Sequence, residues 1–335
     1  MDTNPPPAAR LRPLFPEEID QGDPFAFAVP SGVPSRFRHY IYTSGEEPVA
    51  GTAFPVYGSD DLTTWLRLDD ALEVGLRSAH WAPCVRHVPG SARPFVMLYS
   101  RAVGLGAQGH VGHAIRRADA ERPEGPFRDS GHVLTPGLDF AIDPDVYRLP
   151  DGSLKIAFAM DFTADEPFGT GIVEADIDED LTALTGPPRL LARARFGWQV
   201  YEPARVMPWK TIPGVDRTTE TVRWHTLEAP VGGLISPQGK RVYLYSGGCF
   251  WGFYAVGALV EDEQGHLQDV TDGVARFVIG PQPDEGVFAP GHCSWLRTNA
   301  GQDYLMLHAR FDSPTARRQM CLLPLRWSDD GLPFA

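Results

Sequence analysis

Short runs rich in Tyr, Val, Leu and Phe recur along the chain and predict buried β-strands. Five of them stand out, and each is followed by a second strand candidate: they are His39–Ser44, Phe95–Ser100, Lys155–Met160, Arg241–Ser246 and Asp303–His308. Their first residues lie 56, 60, 86 and 62 positions apart, and turn signals such as Asp151-Gly152 separate the strands. The chain is therefore interpreted as five repeated units of about 67 residues each.

The segment in front of each of these strands carries polar residues at a recurring place. Asp23, Ala82, Asp143, Glu228 and His292 lie 11 to 16 residues before the strand that follows. Five units of three or four strands are typical of a propeller, so we predict an all-β five-bladed β-propeller with about four antiparallel strands per blade. The innermost strands of a propeller line its central channel, and these five positions are therefore predicted to converge on one funnel.

The boundaries of the repeat predict the domain organisation. Residues 1–18 are predicted to be an extended N-terminal arm, and residues 19–335 a single propeller catalytic domain. The interval of 86 residues leaves room for an insertion around Pro203–Thr226, which we place at the rim of the funnel.

Composition supports a turn-rich β-protein and narrows its partners. Gly and Pro number 34 and 32, which is too many for a helical bundle. The net charge of −13 argues against nucleic acid, and no apolar run is long enough to cross a membrane. The four scattered cysteines and the absence of a signal-like amino terminus favour free thiols and a cytoplasmic location. We expect a monomer or small homo-oligomer.

The three acidic residues of the repeat suggest a reaction. Carboxylates at the mouth of one channel repel each other, and a partly desolvated one keeps its proton above its ordinary pKa. One protonated and one ionised carboxyl group are what the hydrolysis of a glycosidic bond requires. Aromatic residues near the mouth that could stack on a sugar ring are Trp81, Phe25, Trp251 and Phe288.

Several short motifs follow one another in a fixed order. They include Gly22-Asp23-Pro24, Trp81-Ala82-Pro83, Ile142-Asp143-Pro144-Asp145, Leu227-Glu228-Ala229-Pro230 and Gly291-His292-Cys293-Ser294. In this order and spacing they resemble glycoside hydrolase family 43, over nearly the whole chain from about residue 20 to residue 333. The resemblance implies a five-bladed propeller, catalysis with inversion of configuration, and no required cofactor.

The resemblance also implies a role for individual residues. Asp23 matches the general base, Asp143 the carboxylate that modulates the pKa of the acid, and Glu228 the general acid. Arg318 resembles an arginine that contacts the sugar in the cleaving subsite. His292 resembles a histidine near the propeller axis, and the sequence leaves open whether it holds Ca²⁺ or Na⁺ through water, or water alone.

We therefore predict an inverting, exo-acting glycoside hydrolase that releases terminal α-L-arabinofuranosyl or β-D-xylosyl residues from small oligosaccharides. A non-catalytic sugar-binding propeller, and a propeller glycosidase of another specificity such as galactofuranoside, remain alternatives. Two assignments also have rivals: Glu202 in Tyr201-Glu202-Pro203 competes with Glu228 as the acid, and Asp145 competes with Asp143.

Overall fold

The computed structural model describes residues 10–15, 19–45, 51–74, 79–102, 112–271 and 276–335. Within these ranges the chain forms β-strands, turns and two short 3-10 turns, Gly197–Gln199 and Pro283–Glu285, and it contains no α-helix. No helix in the described part of the chain is long and apolar enough to span a membrane. The prediction of an all-β fold is confirmed.

The strands group into five sheets in chain order. The first two blades use β1 (Phe25–Ala28), β2 (His39–Tyr42), β3 (Thr52–Ala53), β4 (Val56–Ser59), β5 (Leu66–Arg67), β6 (Leu72–Glu73), β7 (His80–His87), β8 (Phe95–Ala102), β9 (His113–Ala120) and β10 (Phe127–Val133). The third uses β11 (Ala141–Arg148), β12 (Leu154–Phe162), β13 (Gly169–Asp176), β14 (Arg189–Ala192), β15 (Val200–Arg205) and β16 (Val222–His225). The last two use β17 (Leu227–Ile235), β18 (Arg241–Gly248), β19 (Tyr254–Glu261), β20 (Leu267–Asp269), β21 (Val287–Arg297), β22 (Asp303–Phe311) and β23 (Arg318–Pro324), and a hairpin follows of β24 (Arg326–Trp327) and β25 (Pro333–Phe334).

Each blade is an antiparallel meander. The orders from the axis outward are β1-β2-β4-β5, β7-β8-β9-β10, β11-β12-β13, β17-β18-β19-β20 and β21-β22-β23. Strands β6 and β3 extend the second blade, and β14, β16 and β15 extend the third. The inner strands β1, β7, β11, β17 and β21 contact one another in a closed ring. The fold is therefore the predicted five-bladed propeller, with three or four strands in the basic blade.

The five apolar runs that define the sequence repeat become the second strand of each blade. Tyr42, Leu98, Phe158, Tyr245 and Leu307, one from each run, have no exposed surface. Each blade packs between two neighbouring blades, so both faces of its second strand are covered. This explains why these strands read as continuous apolar runs rather than as alternating patterns.

Each inner strand has, within it or just before it, a residue with a left-handed backbone at the corresponding place in the blade. These residues are Asp23, Ala82, Asp143, Ala229 and His292, with φ values between 47° and 58°. In the first four blades a proline follows, and a proline cannot donate to the sheet ladder. We call this residue the bulge residue. The prediction that Glu228 holds this place is wrong by one position: Ala229 holds it, because the backbone break is set by Pro230 and not by the acid.

The bulge residues link the blades by a repeated hydrogen bond. The N–H groups of Ala82 and Asp143 donate to Ser44 Oγ and Ser100 Oγ at 2.9 Å each. In both cases the serine ends the apolar run of the preceding blade. The same bond therefore recurs from blade to blade and positions each inner strand against its neighbour.

Of the remaining three links, one repeats the bond to a serine and two use other acceptors. His292 N–H donates to Ser246 Oγ at 2.8 Å, whereas Ala229 N–H donates to Asp143 Oδ2 at 3.0 Å. Asp23 N–H donates to His308 Nδ1 at 3.2 Å and joins the first blade to the last. The ring of inner strands is thus closed by hydrogen bonds all the way round.

The predicted insertion and part of the predicted arm lie within the described ranges. Strands β15 and β16 form an antiparallel pair beside the third blade, and Tyr201 on β15 contacts Phe250 with ring centroids 6.2 Å apart. Residues 10–15 lie against the propeller, where Leu14 N–H donates to Met320 O at 2.7 Å. Residues 1–9 and 16–18 lie outside the described ranges, so the boundary at residue 18 stays a prediction. All four cysteines are free.

Candidate active site

A pocket of about 290 Å³ opens at one end of the propeller axis. The three acidic residues that the sequence singled out, Asp23, Asp143 and Glu228, all line it. Four further predicted residues line it as well: Trp81, Trp251, His292 and Arg318. The structure therefore brings seven of the nine predicted site residues together.

The inner strands present the bulge residue, the residue before it or, on β11, both to this pocket. Asp23, Asp143 and His292 are bulge residues, whereas Trp81, Ile142 and Glu228 come directly before a bulge residue. The left-handed backbone lets both residues approach the same space, although successive side chains in a regular strand point to opposite faces. This is why Glu228 reaches the pocket despite its different place in the repeat.

In the other two blades the residue before the bulge is glycine, and a side chain from a different strand takes its place. A Cβ on Gly22 would come within 2.0 Å of Arg318 Cζ. A Cβ on Gly291 would come within 2.2 Å of Tyr254 Cε1. The two glycines thus make room for an arginine and a tyrosine in the wall of the pocket.

Asp23 is surrounded by cationic and hydrogen-bonding groups. Its Oδ1 accepts from Arg318 Nη1 at 2.9 Å and lies 3.2 Å from His292 Nδ1, while Ser44 Oγ donates to Oδ2 at 2.6 Å. Burial acts to raise the pKa of Asp23. His292, Arg318 and His308, with the Ser44 hydrogen bond, outweigh burial and hold this pKa well below its ordinary value. Asp23 is therefore ionised throughout the neutral range.

The lasting positive charge beside Asp23 belongs to Arg318. Burial lowers the pKa of His292, and burial together with the nearby Arg318 lowers the pKa of His308 well below its ordinary value. Both imidazoles are thus neutral at neutral pH, where they act as hydrogen-bonding groups. At neutral pH the guanidinium is therefore the charged neighbour of Asp23, and the imidazoles and Ser44 add to its effect.

Glu228 has a different environment. Tyr254 donates its hydroxyl hydrogen to Glu228 Oε1 at 2.6 Å. Burial raises the pKa of Glu228 to about 7, the tyrosine hydrogen bond acts against this rise, and the charge of Asp23 adds to it. Glu228 can therefore carry a proton near neutral pH.

Asp143 interacts with both of these groups. Burial raises the pKa of Asp143 well above its ordinary value, and the charges of Glu228 and Asp23 raise it further. The Ala229 N–H bond to Asp143 Oδ2 acts in the opposite direction. Asp143 and Glu228 thus resist ionising together, and the pair retains a proton beside the ionised Asp23.

Two predicted aromatic contacts do not belong to the pocket. Phe25 is buried below it, and the Arg86 guanidinium lies 4.9 Å from the centre of its ring. Phe288 is half-buried on β21, opposite Arg310 on β22. The expectation that Phe25 and Phe288 contact a sugar in this pocket is therefore wrong: Phe25 lies two residues after the bulge residue of its blade and Phe288 four residues before that of its own, and neither reaches the opening.

The rival acids also lie elsewhere. Glu202 is exposed on β15 and pairs with Arg205 at 3.6 Å. Asp145 pairs with Arg86 at 2.8 Å and accepts from Gly232 N–H at 2.8 Å, below the pocket. Neither lines the pocket, so the geometry favours the original acidic residues over both.

Trp81 and Trp251 differ in the groups that they pack against and in their exposure to solvent. Trp81 stacks on His113 with ring centroids 3.9 Å apart and is half-buried. Trp251 is 60% exposed, and the Arg310 guanidinium lies 4.4 Å from the centre of its ring. Trp81 thus forms a fixed wall, and Trp251 forms part of the rim.

Sequence reasoning missed several residues of the site. Ser44, Tyr254 and His308 line the pocket, and Asp20 holds Arg318 from behind. Ser44 and His308 end two of the five apolar runs, in the same register as the other serines. A comparison of the last residue of each run would therefore have found them.

The residues around His292 do not form a direct metal site. Within the described ranges, no three His, Cys, Asp or Glu side chains are arranged to hold a metal ion. His292 Nδ1 already faces Asp23. An ion held through water beside His292 stays a prediction, and we derive no chemical step through it.

The fold is similar to those of several solved structures. Among solved structures, a thermostable family-43 glycoside hydrolase is 22% identical, with a TM-score of 0.69 over 94% of this chain and 92% of that one. An endo-1,4-β-xylanase from Bacteroides thetaiotaomicron is 19% identical, with a TM-score of 0.67 over 97% and 96% of the two chains. An α-L-arabinofuranosidase from Lactobacillus brevis is 18% identical, with a TM-score of 0.67 over 96% and 95%. These likenesses support the fold.

A search of curated proteins found no match. The family model for glycosyl hydrolases family 43, in contrast, matches residues 30–333, which is nearly the whole chain. A pocket that holds an ionised carboxylate beside a pair of carboxyl groups that retains a proton provides the two forms that hydrolysis of the glycosidic bonds of an oligosaccharide requires. The chain belongs to glycosyl hydrolases family 43 and is a glycoside hydrolase.

Proposed function

We propose that the protein is an inverting, exo-acting hydrolase that releases terminal α-L-arabinofuranosyl or β-D-xylosyl residues from small oligosaccharides. The observation that carries this proposal is the pairing, in one pocket, of an ionised Asp23 with a Glu228 whose pKa is raised to about 7. Such a pair provides a base and an acid at the same pH.

In the proposed reaction Asp23 is the general base. It takes a proton from a water molecule whose oxygen attacks the anomeric carbon. Glu228 gives its proton to the glycosidic oxygen as the bond between that oxygen and the anomeric carbon breaks. The sugar leaves with inverted configuration, and solvent returns the proton from Asp23 to Glu228. Inversion requires the two carboxyl groups to be roughly 6.5–9.5 Å apart.

Asp143 is proposed to hold Glu228 in its acidic form and in position. Its Oδ2 accepts from the N–H of Ala229, the residue next to Glu228. Its charge disfavours a second ionised carboxylate in the same corner. Asp143 thus acts on Glu228 in two ways: through the hydrogen bond from the backbone of Ala229 and through electrostatic repulsion between the two carboxylates.

The shape of the pocket supports exo action on a small sugar. Its volume of about 290 Å³ is at the lower end of the range for small-molecule pockets, roughly 300–1,000 Å³. Trp81 offers a stacking face, and Arg318 offers N–H donors to hydroxyl oxygens. A single terminal pentose fits this description better than the middle of a polymer does.

A panel of nitrophenyl glycosides tests the proposal. Arabinofuranoside, xyloside, galactofuranoside and galactoside are assayed with the wild type and Glu202→Ala, and Glu228→Ala is assayed on the matching unactivated oligosaccharide, whose leaving group needs a proton. We expect activity of the wild type on the arabinofuranoside or xyloside, its retention in Glu202→Ala because Glu202 lies outside the pocket, and loss of oligosaccharide cleavage in Glu228→Ala.

The outcomes separate the alternatives. Activity on the galactofuranoside alone would mean that the enzyme is specific for galactofuranosides. Sugar binding without cleavage of any substrate would favour a non-catalytic propeller. Unchanged activity in Glu228→Ala would mean that Glu228 is not the general acid. NMR of the first product anomer tests inversion: a retained configuration contradicts it.

A further inference from the structure

The segment just before the proposed base wraps around Arg318. Asp20 Oδ1 accepts from the backbone N–H of Arg318 at 2.8 Å, and Asp20 Oδ2 accepts from its Nε at 2.8 Å and also from its Nη2. One carboxylate therefore fixes both the backbone and one edge of the guanidinium.

The two residues between Asp20 and Asp23 complete this arrangement. Gln21 N–H donates to Arg318 O at 2.8 Å, and Gln21 Oε1 accepts from Met320 N–H at 3.0 Å, which ties the segment to β23. Gly22 passes so close that a Cβ there would overlap the Arg318 guanidinium. The left-handed region is not involved at Gly22, so its lack of a side chain is explained by the guanidinium alone.

The donors of Arg318 can be counted. A guanidinium has five N–H groups. Asp20 uses one on Nε and one on Nη2, and Asp23 uses one on Nη1. Two N–H groups remain on an arginine that lines the pocket. Arg318 is therefore held from behind while it faces the base and the space for substrate.

We propose that Asp20 is a positioning residue: it holds Arg318 so that Nη1 stays on Asp23, and Gly22 provides the room for this contact. The part of the proposal that concerns catalysis rests on the proposed role of Asp23 as the base. The electrostatic part, that Asp20 acts on Asp23 through Arg318, does not depend on that role.

A positioning role and a competing role predict opposite signs. If Asp20 positions Arg318, its removal weakens the contact between Arg318 and Asp23, and the pKa of Asp23 rises. If Asp20 mainly draws the charge of Arg318 away from Asp23, its removal strengthens that contact, and the pKa falls. The other titratable groups that face Asp23 are His292 on β21, His308 on β22, Asp143 on β11, Glu228 on β17 and Tyr254 on β19.

The first test measures kcat/KM against pH for Asp20→Asn and Gly22→Ala. We expect the acidic limb to move to higher pH by about one unit or more in both variants, because Asp23 loses its cationic partner. kcat is expected to fall about tenfold with a smaller change in KM, since a loosened base affects the chemical step. A limb that moves to lower pH, or does not move, overturns the proposal.

Asp129→Asn is the matched control. Asp129 is also a partly buried carboxylate that holds an arginine, Arg116, at 2.9 Å, but in the second blade away from the pocket. Asp129→Asn is expected to lower stability and leave the acidic limb in place. An equal shift in this control would mean that the effect in Asp20→Asn is a general loss of stability, which also overturns the proposal.

The second test is independent of activity. Asp23→Asn is introduced into the wild type and into Asp20→Asn, and the change in Tm is measured near neutral pH. We expect the change in Tm caused by Asp23→Asn to be more destabilising in the wild type, because only there is Asp23 held by a fixed arginine. Equal changes, or the opposite order, contradict the proposal. A wild type inactive on every glycoside would refute the proposed function but leave this test decisive.

Discussion

Asp23 and Glu228 share one pocket but have opposite surroundings. Asp23 contacts an arginine, a histidine and a serine hydroxyl, and its N–H binds a second histidine. Glu228 has one tyrosine hydroxyl and the repulsion of other carboxylates. Two carboxyl groups of similar chemistry are thus set to different protonation states by their neighbours. The pocket is asymmetric although the blades around it repeat.

The asymmetry follows from which blades contribute. Asp23 stands where the first and last blades meet and where Arg318 and His308 approach it. Glu228 stands where Tyr254, from its own blade, fills the space left by Gly291. The repeat therefore positions the carboxyl groups, and the side chains that differ between blades determine their charge.

The largest expected effect comes from removing either carboxyl group. Asp23→Asn and Glu228→Gln are each expected to lower kcat by about 10²–10⁴-fold on an oligosaccharide. The two variants should differ on activated substrates. Glu228→Gln should recover much of its activity on aryl glycosides with an acidic leaving group, which needs no proton, whereas Asp23→Asn should not recover.

Steady-state rates across a series of substituted phenyl glycosides measure this difference. A steep dependence on the pKa of the leaving group in Glu228→Gln and a shallow one in Asp23→Asn are expected. The reverse pattern would exchange the two roles.

A smaller effect is expected from Asp143→Asn. Asp143 and Glu228 resist ionising together, so replacing the Asp143 carboxyl group by a neutral amide lets Glu228 ionise more readily and lowers the pKa of Glu228. Because the acid must be protonated, the basic limb of the kcat/KM profile should move to lower pH by about one unit. Asp145→Asn is the control: it lies two residues on and faces Arg86, so the limb should stay in place. A shift to higher pH in Asp143→Asn would mean that Asp143 does not repel the charge of Glu228.

The smallest effect is expected from Tyr254→Phe, with the opposite sign. Its hydroxyl stabilises the ionised form of Glu228, so its removal raises the pKa of Glu228 and moves the basic limb to higher pH by roughly half a unit. Tyr245→Phe removes a similar buried bond, to Asp269 at 2.7 Å, outside the pocket. Rates measured between pH 6 and 9 should separate the two variants, and an equal shift in both would exclude a specific effect of Tyr254.

The blade repeat could be predicted from the sequence because each apolar run is local and fully buried. Residues such as Tyr42 and Leu98 must be apolar wherever a second strand lies between two blades. The acidic residues of the pocket could also be predicted from the sequence, since they precede the apolar runs by similar numbers of residues.

The single-residue error at Glu228 shows the limit of counting along the chain. The bulge is a backbone feature that consists of the left-handed residue and, in this blade, the proline after it. Here these are Ala229 and Pro230, which come directly after the acidic residue. Counting from Pro230 would have placed Ala229 correctly.

Contacts between distant parts of the chain could not be predicted in the same way. Asp20 and Arg318 are 298 residues apart, and Asp23 and His308 are 285 apart. No local pattern records such a pair. Phe25 and Phe288 were misplaced for a related reason: an aromatic residue close to a bulge residue in sequence need not face the opening.

The closure of the ring between the first and last blades has a consequence for the synthesis of the enzyme. Arg318, whose guanidinium contacts Asp23, is synthesised 295 residues after it. During translation the nascent chain therefore presents Asp23 long before its partner exists. Activity is expected to begin only when the fifth blade has joined the first, so a working active site also reports that the ring of blades has closed.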